Sequence, residues 1–335
     1  MEPLTDYNSA LPAAAGHRAV ALDATGSRAM VPAFVLQELE RRTALPVSRL
    51  FDILVGSSTG GLMALLLACP EANGSPRYAA LDLDEKLHRE LASIVSPSAP
   101  SRVVRAVRLT HSGRQSEALD SWLLERFGDT PLSAAAVRVV VCVYDMGARR
   151  VRFFDSLAAR EDPHQDLPMA TAAHATLATP PFVAPVHVPD PQLRRTDTLV
   201  DGALFGANPT LVALAALEHG IEDQPLLLAL GGGSRRDPVD EQSWRDPKLA
   251  FPLLDAARSG LADLVAAVAE RSLGMGGYVR LEPELDWREH SPDDEEGPRS
   301  FGLMRDIAWR LVSEHDSDLN ALSAHLASRR SYAGH

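Results

Sequence analysis

The stretch that decides the fold is residues 50–69, which read LFDILVGSSTGGLMALLLAC. Leu50 to Val55 is mostly apolar and has the length of a buried strand. Small residues follow at positions 56–61, and Leu62 to Cys69 is then apolar on every face. This order predicts a buried strand, a tight turn and a buried helix.

The turn itself, Gly56-Ser57-Ser58-Thr59-Gly60, fits the pattern G-x-S-x-G. Small residues at this spacing allow a sharp turn from strand to helix that holds a serine hydroxyl clear of its own backbone. The helix that follows presents unpaired N–H groups and partial positive charge to a developing anion. Ser58 is therefore the candidate nucleophile, although a Gly/Ser turn without catalytic function fits the same letters.

Strand-like and helix-like runs alternate on both sides of this turn, which predicts parallel strands with helices on both faces and hence an α/β fold. The apolar pattern predicts strands over 18–24, 137–144, 151–154, 197–200, 225–230 and 278–281. It predicts helices over 31–42, 83–94, 117–127, 209–219, 253–273 and 301–327.

Composition limits the class of protein and its partners. The chain has 335 residues, of which 45% are hydrophobic and 23% charged, values that exclude a disordered, fibrous or membrane-embedded protein. The net charge of −12 argues against a nucleic-acid partner. Cys69 and Cys142 are too few for a disulfide framework and fit a reducing compartment. The N-terminus has no signal-peptide pattern, so the predicted location is the cytoplasm.

A serine hydroxyl is a poor nucleophile unless a base accepts its proton. Asp201 ends an apolar strand and precedes Gly202, so its carboxylate is expected at the carboxyl edge of the sheet, where Ser58 also emerges. A Ser-Asp dyad is the sharper hypothesis, and an ordinary Asp-Gly turn is the alternative. A triad is not favoured, because the late histidines lie in charged or amphipathic helical surroundings: His290, His315 and His325.

Three blocks of this chain resemble the motifs of the patatin-like phospholipases in order and spacing. DATGSRA at 23–29, GSSTGG at 56–61 and DGA at 201–203 match the family blocks DGGGxRG, GTSTGG, and DGG or DGA. The resemblance extends over Arg18 to Leu281 through further landmarks: Phe51-Asp52, residues 127–133, Tyr144-Asp145, Phe153-Phe154, residues 175–180, Asn208-Pro209 and residues 230–233.

This resemblance implies a modified α/β-hydrolase fold with a central, mostly parallel sheet between helices, and it implies no metal or organic cofactor. By the same resemblance Ser58 is the nucleophile and Asp201 its base. The remaining site residues it implies are the oxyanion hole of Thr25 and Gly26 with Arg28 beside it, the nucleophile elbow of Gly56, Thr59 and Gly60, and the supporting Gly202. The predicted organisation is a flexible leader at 1–17, an acyl hydrolase domain at 18–285, and an acidic loop with a C-terminal helix at 286–335 that packs on the same domain.

The chain departs from the family pattern at three places. Ala24-Thr25-Gly26 stands where the family has three glycines, Ala29 replaces a further glycine, and His174 stands where the family usually has arginine. A side chain forced to positive φ in the first of these turns would cost about 1 kcal/mol or more. The sequence alone therefore does not determine the shape of the oxyanion hole.

The sequence favours a hydrolase that cleaves fatty acyl esters of lipids or phospholipids. An acyltransferase that passes the acyl group to an alcohol or amine, and a non-catalytic scaffold of the same shape, remain alternatives. The predicted partners are a lipid or acyl-ester substrate and a transient membrane surface, contacted through the region from Ser93 to Arg114, with a homo-oligomer as a further option.

Overall fold

A computed structural model describes residues 16–95, 112–180, 182–190, 195–204, 206–218, 225–234, 250–274, 276–285 and 298–328. Most of the predicted leader, most of the proposed membrane-contact region and most of the acidic loop lie outside these ranges. Within them, no helix has the length and apolar character needed to cross a bilayer.

Strands and helices alternate along the chain, as predicted. The strands are β1 Arg18–Leu22, β2 Ile53–Ser57, β3 Arg138–Asp145, β4 Arg150–Asp155, β5 Val186–Asp190, β6 Arg195–Asp201, β7 Leu226–Leu230 and β8 Tyr278–Leu281. The helices are α1 Met30–Thr43, α2 Val47–Leu50, α3 Thr59–Ala68, α4 Glu85–Val95, α5 Ser112–Phe127, α6 Ser156–Glu161, α7 Met169–Leu177, α8 Thr210–Ala216, α9 Ala250–Leu273, α10 Pro298–Glu314 and α11 Asp316–Ser328.

The strands form one mostly parallel sheet in the order β5-β6-β3-β2-β1-β7-β8, with β4 paired to β3. Strands β3, β2, β1, β7 and β8 run parallel to one another. The pairs β3–β4, β3–β6 and β5–β6 are antiparallel, so the sheet is mostly parallel, as the family resemblance implies, with antiparallel strands at this end. A short hairpin joins β3 to β4, and such a connection can only give an antiparallel pair.

The central strands are apolar throughout because both faces of the sheet are covered. Side chains alternate along each strand, and in β1 Val20 and Leu22 enter one buried cluster while Ala19 and Ala21 enter another. Helices α1, α3, α5, α7 and α10 contribute to the first cluster. Helix α8 packs on the second.

Three details of the sequence prediction are wrong. Leu50 ends a short helical turn that begins after Pro46, so the second strand starts at Ile53. The predicted helix over 301–327 is interrupted at His315, because Asp316 and Asp318 start a new helix whose N-terminal dipole favours acidic side chains. Helices α6 and α7 and strand β5 were not predicted; they are short, with six, nine and five residues.

Candidate active site

The turn between β2 and α3 holds Ser58 in a conformation that few residues adopt. Its φ of 55° and ψ of −127° lie outside the regions that L-residues favour, as expected at a nucleophile elbow. A Cβ at Gly56 would overlap the backbone of Gly60, and a Cβ at Gly60 would overlap the carbonyl oxygen of Leu22. Glycine at both positions therefore permits the sharp turn and the close packing of α3 on the end of β1.

Two strands that point towards each other bring Ser58 and Asp201 together. Strand β2 pairs with residues 138–142 of β3, and β6 pairs with residues 143–145 along the same edge of β3. Ser57 thus lies opposite Cys142 and Asp201 opposite the next residue, Val143. The sequence predicted that Ser58 and Asp201 emerge at the same edge of the sheet. In the structure they meet because β6 is antiparallel to β3, so that its carboxyl end faces the carboxyl end of β2.

The carboxylate of Asp201 is buried and contacts the serine directly. Ser58 Oγ donates a hydrogen bond of 2.7 Å to Asp201 Oδ2, across 143 positions of sequence. The backbone N–H of Ala203 donates to Asp201 Oδ1 at 2.8 Å, and the hydroxyl of Thr179 donates to Oδ2 at 2.7 Å. These bonds satisfy a charged group that is only 3% exposed.

The loop that carries Asp201 leaves no room for a side chain at the next position. A Cβ at Gly202 would lie 2.5 Å from the carbonyl oxygen of Cys142. Burial raises the pKa of the Cys142 thiol to about 12, and the negative charge of Asp201 contributes to this, so the thiol stays neutral. Gly202 therefore lets the base approach β3 closely.

The turn after β1 places Thr25 and Gly26 beside the elbow. Their backbone N–H groups donate to Thr59 Oγ1 at 3.2 and 3.0 Å, so both amides have an acceptor within the protein. Thr25 has a φ of −112°, and Gly26 alone takes a positive φ, of 56°. The threonine that replaces a family glycine is thus not strained, contrary to the expected cost.

Arg28 and Asp23 flank this turn. Arg28 Nη1 donates to the carbonyl oxygen of Gly233 at 2.8 Å. Asp23 accepts two hydrogen bonds from the guanidinium of Arg280, of 3.0 and 2.5 Å. Burial raises the pKa of Asp23 to about 6, although Arg280 lowers it. The bidentate pair links the end of β1 to the edge strand β8.

Two functional contacts were missed by the sequence prediction. Thr176 Oγ1 accepts a hydrogen bond of 2.9 Å from the N–H of Ser58 and donates one of 2.9 Å to the carbonyl oxygen of Cys142. Thr179 contacts the carboxylate, as described. Both threonines lie in the segment 175–180 that resembles the family, but the letters alone assign no partner to either hydroxyl.

The histidines considered in the sequence analysis have other contacts, except His290, which lies outside the described residues. His174 Nδ1 contacts Asp120 Oδ1 at 2.5 Å, and His315 Nδ1 contacts Asp318. His315 and His325 line a groove of about 900 Å³ between β8 and α11, which includes neither Ser58 nor Asp201. Among the described residues, no cluster of His, Cys, Asp or Glu could hold a metal ion.

Comparison with known proteins decides the family. The model of the patatin-like phospholipase family matches residues 20–214, a span that contains the turn after β1, the elbow and the Asp201 loop. The chain belongs to the patatin-like phospholipase family. Membership in this family supports lipid hydrolase activity.

Curated relatives match over most of the chain. Patatin-like protein 4 of Arabidopsis thaliana is 29% identical over 341 residues, covering 90% of this chain and 84% of the relative. Probable inactive patatin-3-Kuras 1 of Solanum tuberosum is 23% identical over 345 residues, covering 93% of this chain and 90% of the relative. The crystal structure of VipD from Legionella pneumophila aligns with 13% identity and a TM-score of 0.39, covering 90% of this chain and 68% of that one.

Proposed function

We propose that this chain is a serine lipid acyl hydrolase that cleaves fatty acyl esters of lipids or phospholipids through an acyl-enzyme. Ser58 serves as the nucleophile and Asp201 as its base. The observation that carries this proposal is the direct hydrogen bond of 2.7 Å between the serine hydroxyl and the carboxylate. Nucleophile and base within hydrogen-bond reach are the signature of covalent catalysis.

The proposed reaction conserves one proton. As Ser58 Oγ bonds to the ester carbonyl carbon, its proton passes to Asp201 Oδ2. The tetrahedral intermediate then expels the alcohol, which takes that proton and leaves the acyl group on Ser58. Water attacks the acyl-enzyme in the second half, loses a proton to Asp201, and releases the fatty acid as the proton returns to Ser58.

A carboxylate is a weak base at neutral pH, so stabilisation of the oxyanion has to lower most of the barrier. The first N–H groups of α3 have no partner within the helix and point towards the serine end, where they carry partial positive charge. The amides of Thr25 and Gly26 act as further donors in this proposal, once the oxyanion replaces the Thr59 hydroxyl as their acceptor.

The test is hydrolysis of acyl esters over a range of chain lengths by the wild type, Ser58→Ala and Asp201→Asn. Ser58→Ala should remove the activity, and Asp201→Asn should lower kcat by at least about 10³-fold, since it leaves the hydroxyl without a base. Ser121→Ala and Asp306→Asn are the matched controls, because both side chains are exposed on other helices. Both controls should retain wild-type rates.

Labelling with a fluorophosphonate probe separates the alternatives. Labelling that requires Ser58 supports an enzyme, whereas equal hydrolysis in all variants, or no labelling of the wild type, contradicts the proposal and leaves the scaffold. Product analysis with added alcohols or amines then distinguishes hydrolysis from acyl transfer. A predominant transferred product would replace the hydrolase with the acyltransferase.

A further inference from the structure

The C-terminal end of α7 and the two residues after it contact both members of the proposed dyad. Thr176 Oγ1 accepts a hydrogen bond from the backbone N–H of Ser58, while the hydroxyl of Thr179 donates one to Asp201 Oδ2. The backbone N–H of Asp201 also donates to the carbonyl oxygen of Ala178 at 2.9 Å. Three residues of the segment 176–179 thus hold the nucleophile through its backbone and the base through both its backbone and its side chain.

The hydroxyl of Thr179 makes the more consequential contact. It lies 2.7 Å from Asp201 Oδ2 and 3.4 Å from the carbonyl oxygen of Leu177, so the carboxylate is its closer acceptor. Asp201 Oδ2 is the same oxygen that accepts the proton of Ser58. A hydrogen bond from a neutral donor to a charged acceptor is about twice as strong as one between neutral groups.

We propose that Thr179 is a positioning residue, which holds Asp201 Oδ2 against Ser58 and keeps the carboxylate ionised at the pH of catalysis. This inference rests on the proposed function, because it assigns Thr179 a role only through Asp201. A donor to the charged form of an acid favours that form. The donor also fixes the rotamer of Asp201, and a small misplacement of a reacting group can cost a large factor in rate.

Several ionisable groups lie on the elements around Asp201. The elements packed around β6 are β3, β5 and α7, while the adjoining β2 and α3 contain no ionisable side chain. Burial and the charge of Asp201 keep the Cys142 thiol neutral. Several ionisable side chains of these elements contact other residues: His174 with Asp120, Arg195 with Asp145 and Asp197, Arg138 with Asp155, and His187 with Thr198. Tyr144 on β3 and Asp190 on β5 are the other ionisable side chains of these elements.

The experiment compares the pH profile of kcat/KM for the wild type, Thr179→Val and Thr179→Ser on a soluble acyl ester. Valine keeps the shape of threonine but removes the hydrogen-bond donor. The acidic limb of the kcat/KM profile should therefore move to higher pH by about one unit. The plateau should fall by about tenfold because the carboxylate loses its fixed rotamer. Serine keeps the hydroxyl and should restore both the limb and the plateau.

Two further measurements keep the outcomes distinct. Thr171→Val, eight residues earlier on α7, is the matched control and should leave the profile unchanged. The rate of fluorophosphonate labelling against pH should show the same shift without turnover. If the wild type is active and Ser58→Ala is inactive, but the acidic limb of the Thr179→Val profile does not move, this inference is overturned and the proposed function stands. An inactive wild type that also resists labelling overturns both.

Discussion

At the scale of single residues, hydroxyl groups connect the elbow to its surroundings. Thr59 accepts two backbone N–H groups from the turn after β1, and Thr179 donates to the buried carboxylate. A hydroxyl can do either because it carries one donor and two acceptor lone pairs. The sequence predicted Ser58 and Asp201 as a candidate dyad, yet it gave no partner for either threonine, since these contacts join residues distant along the chain.

Thr59→Val should destabilise the protein by about 1–3 kcal/mol, because it removes the acceptor of the buried N–H of Thr25 and of the N–H of Gly26. Thr59→Ser keeps the oxygen and should stay near the wild type. Urea unfolding at pH 7 measures the difference. Equal stability of the valine and serine variants would show that the Thr59 hydroxyl does not support this turn.

Gly202→Ala should lower activity by about 10²-fold, because the new Cβ would lie 2.5 Å from the carbonyl oxygen of Cys142 and push Asp201 away from Ser58. Gly206→Ala is the matched control, since its nearest neighbour beyond the adjacent residues is 3.9 Å away. Ester hydrolysis measures both variants. Similar rates for the two would contradict a steric requirement for glycine beside the base.

At the scale of elements, most local patterns and the mostly parallel sheet were predicted correctly, but the direction of β6 was not. Residues 137–144 were predicted as a strand and form β3, and the turn at 56–61 joins a strand to a helix as expected. The antiparallel course of β6 was missed, because a strand's own periodicity says nothing about the direction of its neighbour. That direction is what brings Asp201 to Ser58.

Helix α4 contains a buried histidine that should make the protein sensitive to acid. Burial lowers the pKa of His88 to about 4. The unfolded chain therefore binds a proton below about pH 6.5 that the folded protein resists until about pH 4. Stability from this residue is complete above the unfolded pKa and is lost as the pH falls between these values.

His88→Leu should remove that sensitivity. The free energy of unfolding of the wild type should fall, relative to the variant, by about 2 kcal/mol between pH 7.5 and pH 5. His164→Gln, at an exposed position, should follow the wild type at every pH. Urea unfolding across this range provides the measurement, and parallel curves for wild type and His88→Leu would disprove the assignment.

At the scale of the whole molecule, an ion pair links the two sides of β7. Arg280 on β8 forms a bidentate bond with Asp23 at the end of β1, while β7 lies between these strands. The Arg280 and Asp23 side chains are 17% and 9% exposed, so the buried carboxylate depends on Arg280, which also pairs with Glu282. The pair holds the edge strand to the turn that contains Thr25 and Gly26.

Arg280→Met should destabilise the protein by about 3–5 kcal/mol at pH 8, because it leaves a buried carboxylate without its partner. The pKa of Asp23 is already raised to about 6 by burial, and losing Arg280 raises it further. The folded variant then holds a proton that the unfolded chain releases, so its stability deficit should grow as the pH rises above 6.

Denaturant unfolding at pH 5 and pH 8 checks this expectation, with Arg305→Met as the control. Arg305 is half exposed and lies 4.0 Å from an exposed Asp306, a pair expected to contribute little. A deficit of the same size at both pH values would mean that Asp23 does not carry the unpaired charge.

The sequence by itself determined the local structures and the identity of the candidate dyad. Apolar periodicity, small residues in the turn at 56–61 and the Asp201-Gly202 pair are short-range signals, and each needs only a few consecutive letters. Only the tertiary structure decided that β6 meets β2 end to end and that Thr59 accepts hydrogen bonds from the amides of the turn after β1. It also decided that Thr179 and Ser58 donate to the same oxygen of Asp201. These depend on which distant segments pack together, and that choice is made by the free energy of the whole fold.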